Sequence, residues 1–174
     1  MNSFLKQELS KTIDIKDLKR VLPSYCRIAY YDKLKNVKTL KEAMRGSSVL
    51  ILLWNIHDEK KRVLNEPGHF YLISTRGPER CVVFSSTGMA PRKELFETQS
   101  DPGLLDRILP NGTIYNNKHF QKTRDSATCW RWCLLYAHLA HLGLKKFQTI
   151  FWNRKLLITD PDLLSVAFTY ILFN

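Results

Sequence analysis

The sequence predicts one α+β domain, in which a small sheet packs against a central helix and further helices lie at both ends. Three segments support this prediction. Residues 47–56 (SSVLILLWNI) form a nearly continuous apolar run, which is typical of a strand buried on both faces. Residues 69–75 and 79–86 flank an Arg-Gly-Pro turn and indicate an antiparallel hairpin. From Ser126 to Gly143, apolar residues recur at helical spacing, which predicts the central helix.

Shorter elements are predicted around these segments. Ahead of the apolar run, amphipathic patterns at residues 4–9, 18–22 and 40–44 predict small helices. Residues 89–117 are rich in Pro, Gly, Asp and Asn, which predicts a long surface excursion with one or two short helices. The remaining expectations are a fourth strand within 113–122, two C-terminal helices over 145–152 and 162–173, and an aromatic segment at 26–31 that is either extended or lines a groove.

Length and composition fit one compact domain. The chain has 174 residues, and 44% of them are hydrophobic. We divide this domain into an N-terminal helical part (1–46), a central part (47–143) and C-terminal helices (144–174). The start lacks the basic end and apolar stretch of a signal peptide, and no window approaches about 18 uncharged apolar residues. We therefore expect a soluble intracellular protein. Free thiols are then expected at all four cysteines, Cys26, Cys81, Cys129 and Cys133.

The chain carries a strong positive charge. Lys and Arg number 27 against 16 Asp and Glu, and the net charge of +11 favours polyanionic partners through counterion release. The alternative is a solvated basic surface without such a partner. No sequence-reading motif is visible, so binding to double-stranded DNA would be independent of base sequence. The predicted contacts near the C-terminal helices are Lys145, Lys146, Arg154 and Lys155.

Cys129 has the sequence setting of a reactive cysteine. It lies in the first turn of the central helix, three residues after the N-cap candidate Ser126, where backbone N–H groups stabilise a thiolate. The alternative is that Cys129 and Cys133, one turn apart on an apolar face, are core residues, and Cys133 retains that interpretation. Zinc is not expected, because the two cysteines lie with His138 and His141 on one continuous helix and cannot close a tetrahedron.

His69 is the histidine best placed to meet that cysteine. It follows Pro67-Gly68 at the start of a predicted strand, and a base at a strand end is well placed to face a helix N-terminus. His138 and His141 lie instead within the predicted helix. The alternative for any single histidine is a surface or structural role.

Four short motifs occur in a recognisable order. GHFYLI, VVFSSTG, FQ and SATCWRWC, within Val49 to Leu142, resemble in sequence order the signature of the adenain-like cysteine proteases of the papain-like superfamily. That family includes the adenovirus maturation protease and the proteases of ubiquitin-like proteins. The small size of the chain and the Trp54-Asn55 pair ahead of the histidine look most like the maturation protease of a virophage or Polinton-type element.

The resemblance implies a role for three residues. The family's nucleophile falls on Cys129, its general base on His69, and the glutamine of its oxyanion hole on Gln121. Each side chain suits its role, because an imidazole can take the thiol proton to form a thiolate–imidazolium pair and a side-chain amide can donate to a developing oxyanion. Without the motif, Gln121 would be an ordinary strand glutamine.

Two positions depart from the family pattern. Ser85 stands where the acidic residue that orients the histidine is expected, and its hydroxyl would be a weak third triad member. On the sequence alone, alanine at position 85 is expected to lower activity only modestly and aspartate to be tolerated or even helpful. The orienting carboxylate could instead come from Glu66, Glu79 or Asp101. The second departure is Trp130, where the family has glycine; its ring must point away from the substrate or line its groove.

The function implied by the resemblance is that of a thiol endopeptidase. Its expected substrates are viral capsid or other structural precursors with small residues at the scissile bond, cleaved during virion maturation in the viral factory of the host cytoplasm and in the virion. A monomer is expected, with no membrane partner and no cofactor other than DNA as an activator. The alternatives are an inactive basic capsid-associated protein that binds nucleic acid, and a deubiquitinase-like or deSUMOylase-like protease.

Overall fold

A five-stranded mixed sheet forms the centre of the structure. The computed structural model describes residues 3–54, 68–97, 101–122, 127–152 and 160–173. The sheet and its surrounding helices confirm the predicted α+β class. In spatial order, its strands are β1 (Cys26–Tyr30), β2 (Val49–Trp54), β3 (His69–Ser74), β4 (Val82–Ser85) and β5 (Ile114–Tyr115).

Helices precede, interrupt and follow the strands. The three short N-terminal patterns all form helices, and the surface excursion contains two. The central helix begins at Cys129, with Thr128 at the N-cap position, whereas Ser126 lies outside the described residues. The helices are α1 (Ser3–Ser10), α2 (Ile15–Val21), α3 (Leu40–Met44), α4 (Pro91–Glu97), α5 (Gly103–Ile108), α6 (Cys129–Leu139), α7 (Leu144–Phe151) and α8 (Pro161–Phe173), with 3₁₀ turns at Tyr31–Leu34 and Ala140–Leu142.

The strand pairing confirms the hairpin and resolves the aromatic segment. β3 pairs antiparallel with both β2 and β4, so β3 and β4 form the predicted hairpin. The aromatic segment at 26–31, for which two structures were considered, contains an extended edge strand, β1, which pairs parallel with β2. β5 is shorter than predicted, because Asn116 ends it by donating from Nδ2 to the carbonyl oxygens of Ser85 and Lys118, at 2.6 and 2.8 Å.

The core lies on both faces of the sheet, as the unbroken apolar run of β2 predicts. Val49 and Ile51 belong to a cluster with side chains of α6, α7 and α8. Leu50 and Leu52 belong to a second cluster, which α3, α4 and α5 cover from the other face. Alternate residues of one strand therefore contact opposite helical layers.

Aromatic side chains fix α6 against the sheet. The Phe84 ring on β4 stacks on Tyr136 of α6 with 4.8 Å between ring centroids, and Phe120 lies 4.9 Å from Trp132. Phe147 of α7 contacts this group edge-on. These contacts bury large apolar areas and hold the N-terminus of α6 in a fixed position over β3 and β4.

Two further features concern the described part of the chain. Its four cysteines, Cys26, Cys81, Cys129 and Cys133, form no disulfide with one another. Within the described ranges, no helix has the length and apolar character needed to cross a bilayer.

Candidate active site

The first turn of α6 meets the start of β3. The Cys133 thiol donates to the backbone carbonyl of Phe70 at 3.4 Å, which places this face of α6 on the strand. One turn earlier, the Cys129 sulfur faces the backbone N–H of the same Phe70, together with the N–H groups of Trp130 and Cys129 itself. Phe70 directly follows His69, so the Cys129 sulfur lies against the backbone of the residue next to the predicted base.

Burial controls the charge of this pair. It raises the pKa of the Cys129 thiol to about 11, although the surrounding backbone N–H groups act to lower that pKa. Burial also lowers the pKa of His69 below its ordinary value, while the Glu94 carboxylate opposes that shift. Both shifts favour the uncharged forms of the pair, a thiol and a neutral imidazole. Desolvation thus acts against the thiolate that the helix N-terminus would stabilise.

The His69 imidazole is held by β4 and by two aromatic rings. Its Nε2 atom lies 3.0 Å from the Ser85 hydroxyl oxygen, across the hairpin. Trp54 and Tyr71 contact the imidazole edge to face, with ring centroids at 6.5 and 5.0 Å. Nε2 is thus directed at Ser85, and Nδ1, separated from it by one carbon atom, is the other nitrogen of the ring.

A carboxylate that the sequence did not indicate completes this arrangement. Glu94 of α4 lies with Oε1 3.9 Å from His69 Nε2, and its Oε2 accepts from the Ser85 hydroxyl at 3.3 Å. The hydroxyls of Thr87 and Tyr71 also donate to this carboxylate, at 2.6 and 2.5 Å. Glu94 is therefore a buried acid that shares Ser85 with the imidazole.

Gly88 allows the chain to bring α4 back to β4. Its φ of +67° favours glycine, and a Cβ atom there would lie 2.7 Å from the backbone of Lys118. The chain therefore passes close to Lys118 before α4 begins at Pro91. The turn places Glu94 beside Ser85, although nine residues separate them in the sequence.

Two of the three acids named from the sequence contact helix termini instead. The Glu79 carboxylate accepts from the backbone N–H of Leu144 at 2.9 Å, at the N-terminus of α7. The Asp101 carboxylate accepts from the backbone N–H of Gly103 at 2.8 Å and so caps α5. Neither Glu79 nor Asp101 orients the histidine, because each carboxylate accepts from a backbone N–H at a helix N-terminus. Glu66 lies outside the described residues.

Gln121 is buried next to the β4 end of the site. The Ser86 hydroxyl donates to its side-chain oxygen at 2.9 Å, and its backbone N–H donates to the Ser86 carbonyl at 3.0 Å. Ser86, which contacts Gln121, directly follows Ser85, which contacts His69. Because Ser86 holds the oxygen of the amide, the amide nitrogen is directed away from Ser86. Its role in an oxyanion hole stays a prediction.

Trp130, the second departure from the family pattern, faces the N- and C-terminal helices. Its indole N–H donates to the carbonyl of Lys11 at 2.9 Å, and its ring meets Phe173 of α8 at 5.8 Å. The Arg131 guanidinium lies 4.3 Å from the ring centroid. The ring thus occupies a different side of α6 from the two cysteines that face β3.

The predicted basic contacts fall partly within the described residues. Lys145 and Lys146 are exposed on α7, whose Leu144, Phe147 and Phe151 face the core. Arg154 and Lys155 lie outside the described residues.

The chain is similar to two viral proteins. No protein-family model matches it. It is 27% identical over 144 residues to an uncharacterized protein, V9, of Sputnik virophage, with 76% of this chain and 78% of that protein covered. It is also similar in structure to the ASFV pS273R protease, with a TM-score of 0.46 and 17% sequence identity. This match covers 86% of the chain, which spans 59% of the length of that protease chain.

Proposed function

We propose that this chain is a cysteine endopeptidase with Cys129 as nucleophile and His69 as general base. The observation that supports the proposal is the order of groups around the imidazole. Ser85 and Glu94 lie on its Nε2 side, and the Cys129 sulfur faces the backbone N–H of the next residue. A carboxylate, an imidazole and a thiol in this order can perform nucleophilic acyl transfer.

The hydroxyl of Ser85 selects the tautomer of His69. Thr87 gives its own hydroxyl proton to Glu94, so Ser85 donates either to the Thr87 oxygen or to Glu94 and presents its oxygen lone pair to the imidazole. An acceptor at Nε2 favours the tautomer protonated there, and this leaves a basic Nδ1 for the thiol. Ser85 then acts as the third triad member, and Glu94 supplies the charge that the serine lacks.

The proton transfers follow from the neutral resting pair. As the Cys129 sulfur attacks the scissile carbonyl carbon, its proton moves to Nδ1 of His69, and the carbonyl oxygen becomes an oxyanion. The negative charge of Glu94 stabilises the imidazolium that forms. The imidazolium then protonates the leaving amine, which departs from a thioester. His69 next takes a proton from water, the resulting hydroxide attacks the thioester, and the thiol is released with the product acid.

The oxyanion would be bound by two donors. The Cys129 backbone N–H is one, and the Gln121 side-chain amide is the other. Each such donor contributes roughly 10²–10³ in rate, because it is oriented before charge develops. Replacement of Gln121 by alanine should lower kcat by about that factor, measured on a peptide substrate. A loss under about threefold would remove Gln121 from the site.

The proposed substrates are viral structural precursors with small residues around the scissile bond. The order of the motifs and the sequence similarity to a virophage protein support a viral setting. We further propose that the enzyme acts as a monomer in the viral factory and in the virion. A panel of ubiquitin-like substrates separates this specificity from that of a deubiquitinase-like or deSUMOylase-like protease.

The test of the activity combines a thiol probe with peptide cleavage. Iodoacetamide should label Cys129 in preference to Cys26, Cys81 and Cys133, as read by peptide mass mapping. Cys129→Ala and His69→Ala should each lower cleavage by about 10⁴-fold or more while the fold is retained. Cys26→Ala is the matched control and should cleave at the wild-type rate. Wild-type cleavage by Cys129→Ala would contradict the proposal, and absence of both labelling and cleavage in the wild type would favour an inactive capsid-associated protein.

The net charge of +11 favours a second property, which is binding to double-stranded DNA. Exposed Lys145 and Lys146 are its candidate contacts in the described region. Fluorescence anisotropy with two unrelated duplexes should give similar affinities that fall steeply with salt. Lys145→Ala/Lys146→Ala should flatten the slope by about 0.9 for each phosphate that the variant no longer neutralises. The same duplexes should raise the cleavage rate. No binding at low salt would contradict this property.

A further inference from the structure

A buried carboxylate of α8 contacts two residues next to the proposed site. One directly follows the proposed oxyanion donor, and the other directly precedes the proposed nucleophile. Asp162 is 3% exposed. Its Oδ2 accepts from the backbone N–H of Lys122 at 3.0 Å, and its Oδ1 accepts from the Thr128 hydroxyl at 2.5 Å. Lys122 directly follows Gln121, and Thr128 directly precedes Cys129.

We infer that Asp162 is a positioning residue that sets the distance between Gln121 and Cys129. The inference rests on the proposed function, in which these two residues act on the same carbonyl group. A carboxylate is rigid, so two hydrogen bonds to its two oxygens hold Lys122 and Thr128 at a fixed separation. Misplacement of an oxyanion donor by about 1 Å can lower a rate by about 10²-fold.

The Thr128 contact extends directly into the nucleophile helix. The Thr128 carbonyl accepts from the backbone N–H of Trp132 at 3.1 Å, which is the first backbone hydrogen bond of α6. A shift of Thr128 would therefore move the start of α6, where Cys129 is the first residue. On the other flank, Lys122 is attached to Gln121 by one peptide bond.

Asp162 is itself anchored to α6 through the rest of α8. Its backbone N–H donates to the Asp160 carboxylate at 3.0 Å, which caps the helix start. Two turns later on α8, the Thr169 hydroxyl accepts from the Arg131 guanidinium of α6 at 2.6 Å. The carboxylate of Asp162 thus projects from a helix that is already fixed to α6, so it can act as a rigid brace.

Conservative and non-conservative variants of Asp162 should behave differently. Asparagine keeps an oxygen for the Lys122 N–H and offers an amide N–H to the Thr128 hydroxyl oxygen, since that hydroxyl can accept as well as donate. Asp162→Asn should therefore keep kcat within about threefold of wild type. Asp162→Ala removes both contacts and should lower kcat by about 10²-fold with little change in KM.

Alkylation of Cys129 separates positioning from general structural support. Iodoacetamide reacts with the thiol and uses no oxyanion hole, so Asp162→Ala should alter the alkylation rate by less than about threefold while peptide cleavage falls about 10²-fold. Asp17→Ala is the control. It removes an exposed carboxylate of α2 that pairs with Arg20 and touches neither Lys122 nor Thr128, and its kcat should stay within about twofold of wild type.

Each outcome decides the inference. A cleavage rate of Asp162→Ala within about threefold of wild type overturns it, and so does a parallel fall of cleavage and alkylation, which would indicate a structural role only. If Asp162→Ala does not fold, Thr128→Val removes one contact and should lower kcat about tenfold at an unchanged alkylation rate. Failure of the proposed function is distinguishable, since wild-type Cys129 would then show neither preferential labelling nor cleavage.

Discussion

Two buried carboxylates, equally shielded from water, have opposite surroundings. Glu8 and Glu94 are each 8% exposed. Glu8 of α1 lies 2.5 Å from a guanidinium nitrogen of Arg131, a side chain that is always cationic. Glu94 of α4 accepts hydrogen bonds from hydroxyls and lies 3.9 Å from His69, whose ring becomes cationic only when it takes up a proton. The charge of Glu8 is compensated at all times, whereas His69 compensates that of Glu94 only on protonation.

The two surroundings suit different roles, a structural one for Glu8 and, in the proposed mechanism, a chemical one for Glu94. Arg131 contacts Glu8 and also donates to Thr169, so this cluster joins α1, α6 and α8. The Glu94 cluster joins β3, β4 and α4, and its carboxylate lies beside the imidazole that would become an imidazolium in the proposed mechanism. Buried carboxylates beside a titratable partner are typical of active sites, while closed ion pairs are typical of structural contacts.

The largest effect is expected from breaking the structural pair. Glu8→Gln leaves the Arg131 guanidinium buried without its anion, which should lower the free energy of unfolding by about 3–5 kcal/mol. The activity per folded molecule should change by less than about twofold, because the Glu8 carboxylate contacts Arg131 and Lys11 and not a proposed catalytic group. Urea unfolding and titration of Cys129 with a thiol probe measure the two quantities.

A second substitution checks the cause of that destabilisation. Arg131→Met in the Glu8→Gln background removes the uncompensated charge and should recover much of the stability of the wild type. A stability of Glu8→Gln equal to wild type would show that the pair contributes nothing to the fold.

Glu94→Gln should give the opposite result. The amide can keep hydrogen bonds to the hydroxyls of Tyr71, Thr87 and Ser85, so the free energy of unfolding should change by about 1 kcal/mol or less. The charge beside His69 is removed, and kcat should fall by roughly 10–10²-fold, which corresponds to about 1.5–3 kcal/mol of imidazolium stabilisation. Steady-state kinetics beside urea unfolding tests both. A destabilised variant with unchanged kcat would reverse the comparison of the two acids.

The parts of the fold that the sequence predicts are those with a local signal. The apolar run of β2, the turn between β3 and β4, and the helical spacing of α6 each lie within one short segment, and all three are confirmed. The parallel pairing of β1 with β2 is not local, because helix α3 separates these strands in the sequence. The two-residue length of β5 depends on Asn116, whose side chain bonds with a neighbouring strand.

The candidate site also divides into residues with a local sequence signal and residues without one. His69, Cys129 and Gln121 lie within short motifs, so the sequence could propose them, and their catalytic roles stay predictions. Glu94 could not be placed, because its contact with Ser85 depends on the turn at Gly88. One signal was available, since Pro91, Glu94 and Leu95 share a helical face of α4 and all three are buried. A charged residue on an otherwise apolar face indicates a buried polar role.

The position of Glu94 changes the expectation for Ser85→Asp. A second carboxylate would lie beside Glu94, whose oxygen is 3.3 Å from the Ser85 hydroxyl, and two adjacent carboxylates cannot both ionise readily. Ser85→Asp alone should therefore lower kcat about tenfold, while Ser85→Asp/Glu94→Gln should return to within about threefold of wild type. Ser85→Ala is the control for removal of the hydroxyl. An additive double variant would show that the two positions act independently.

The smallest effect is a shift in pH dependence. His69 must be neutral to accept the thiol proton, so the acid limb of kcat/KM should lie below the ordinary histidine pKa of 6.5, because burial lowers the pKa of His69. Glu94 raises that pKa, and its removal in Glu94→Gln should move the acid limb to still lower pH. Glu79→Gln, which alters a carboxylate at the start of α7, should leave the limb in place.

Alkylation should respond in the opposite sense to cleavage. Glu94 adds to the burial that raises the pKa of Cys129 to about 11, so Glu94→Gln lowers that pKa and increases the thiolate fraction at any pH below it. Iodoacetamide should then label Cys129 faster in Glu94→Gln than in wild type at about pH 8, although the same variant cleaves peptides more slowly. In the wild type, the labelling rate should rise with pH up to about 11. A plateau of that rate from mildly acidic pH upward would instead indicate a preformed thiolate–imidazolium pair, with Glu94 acting on an ion pair already present at rest.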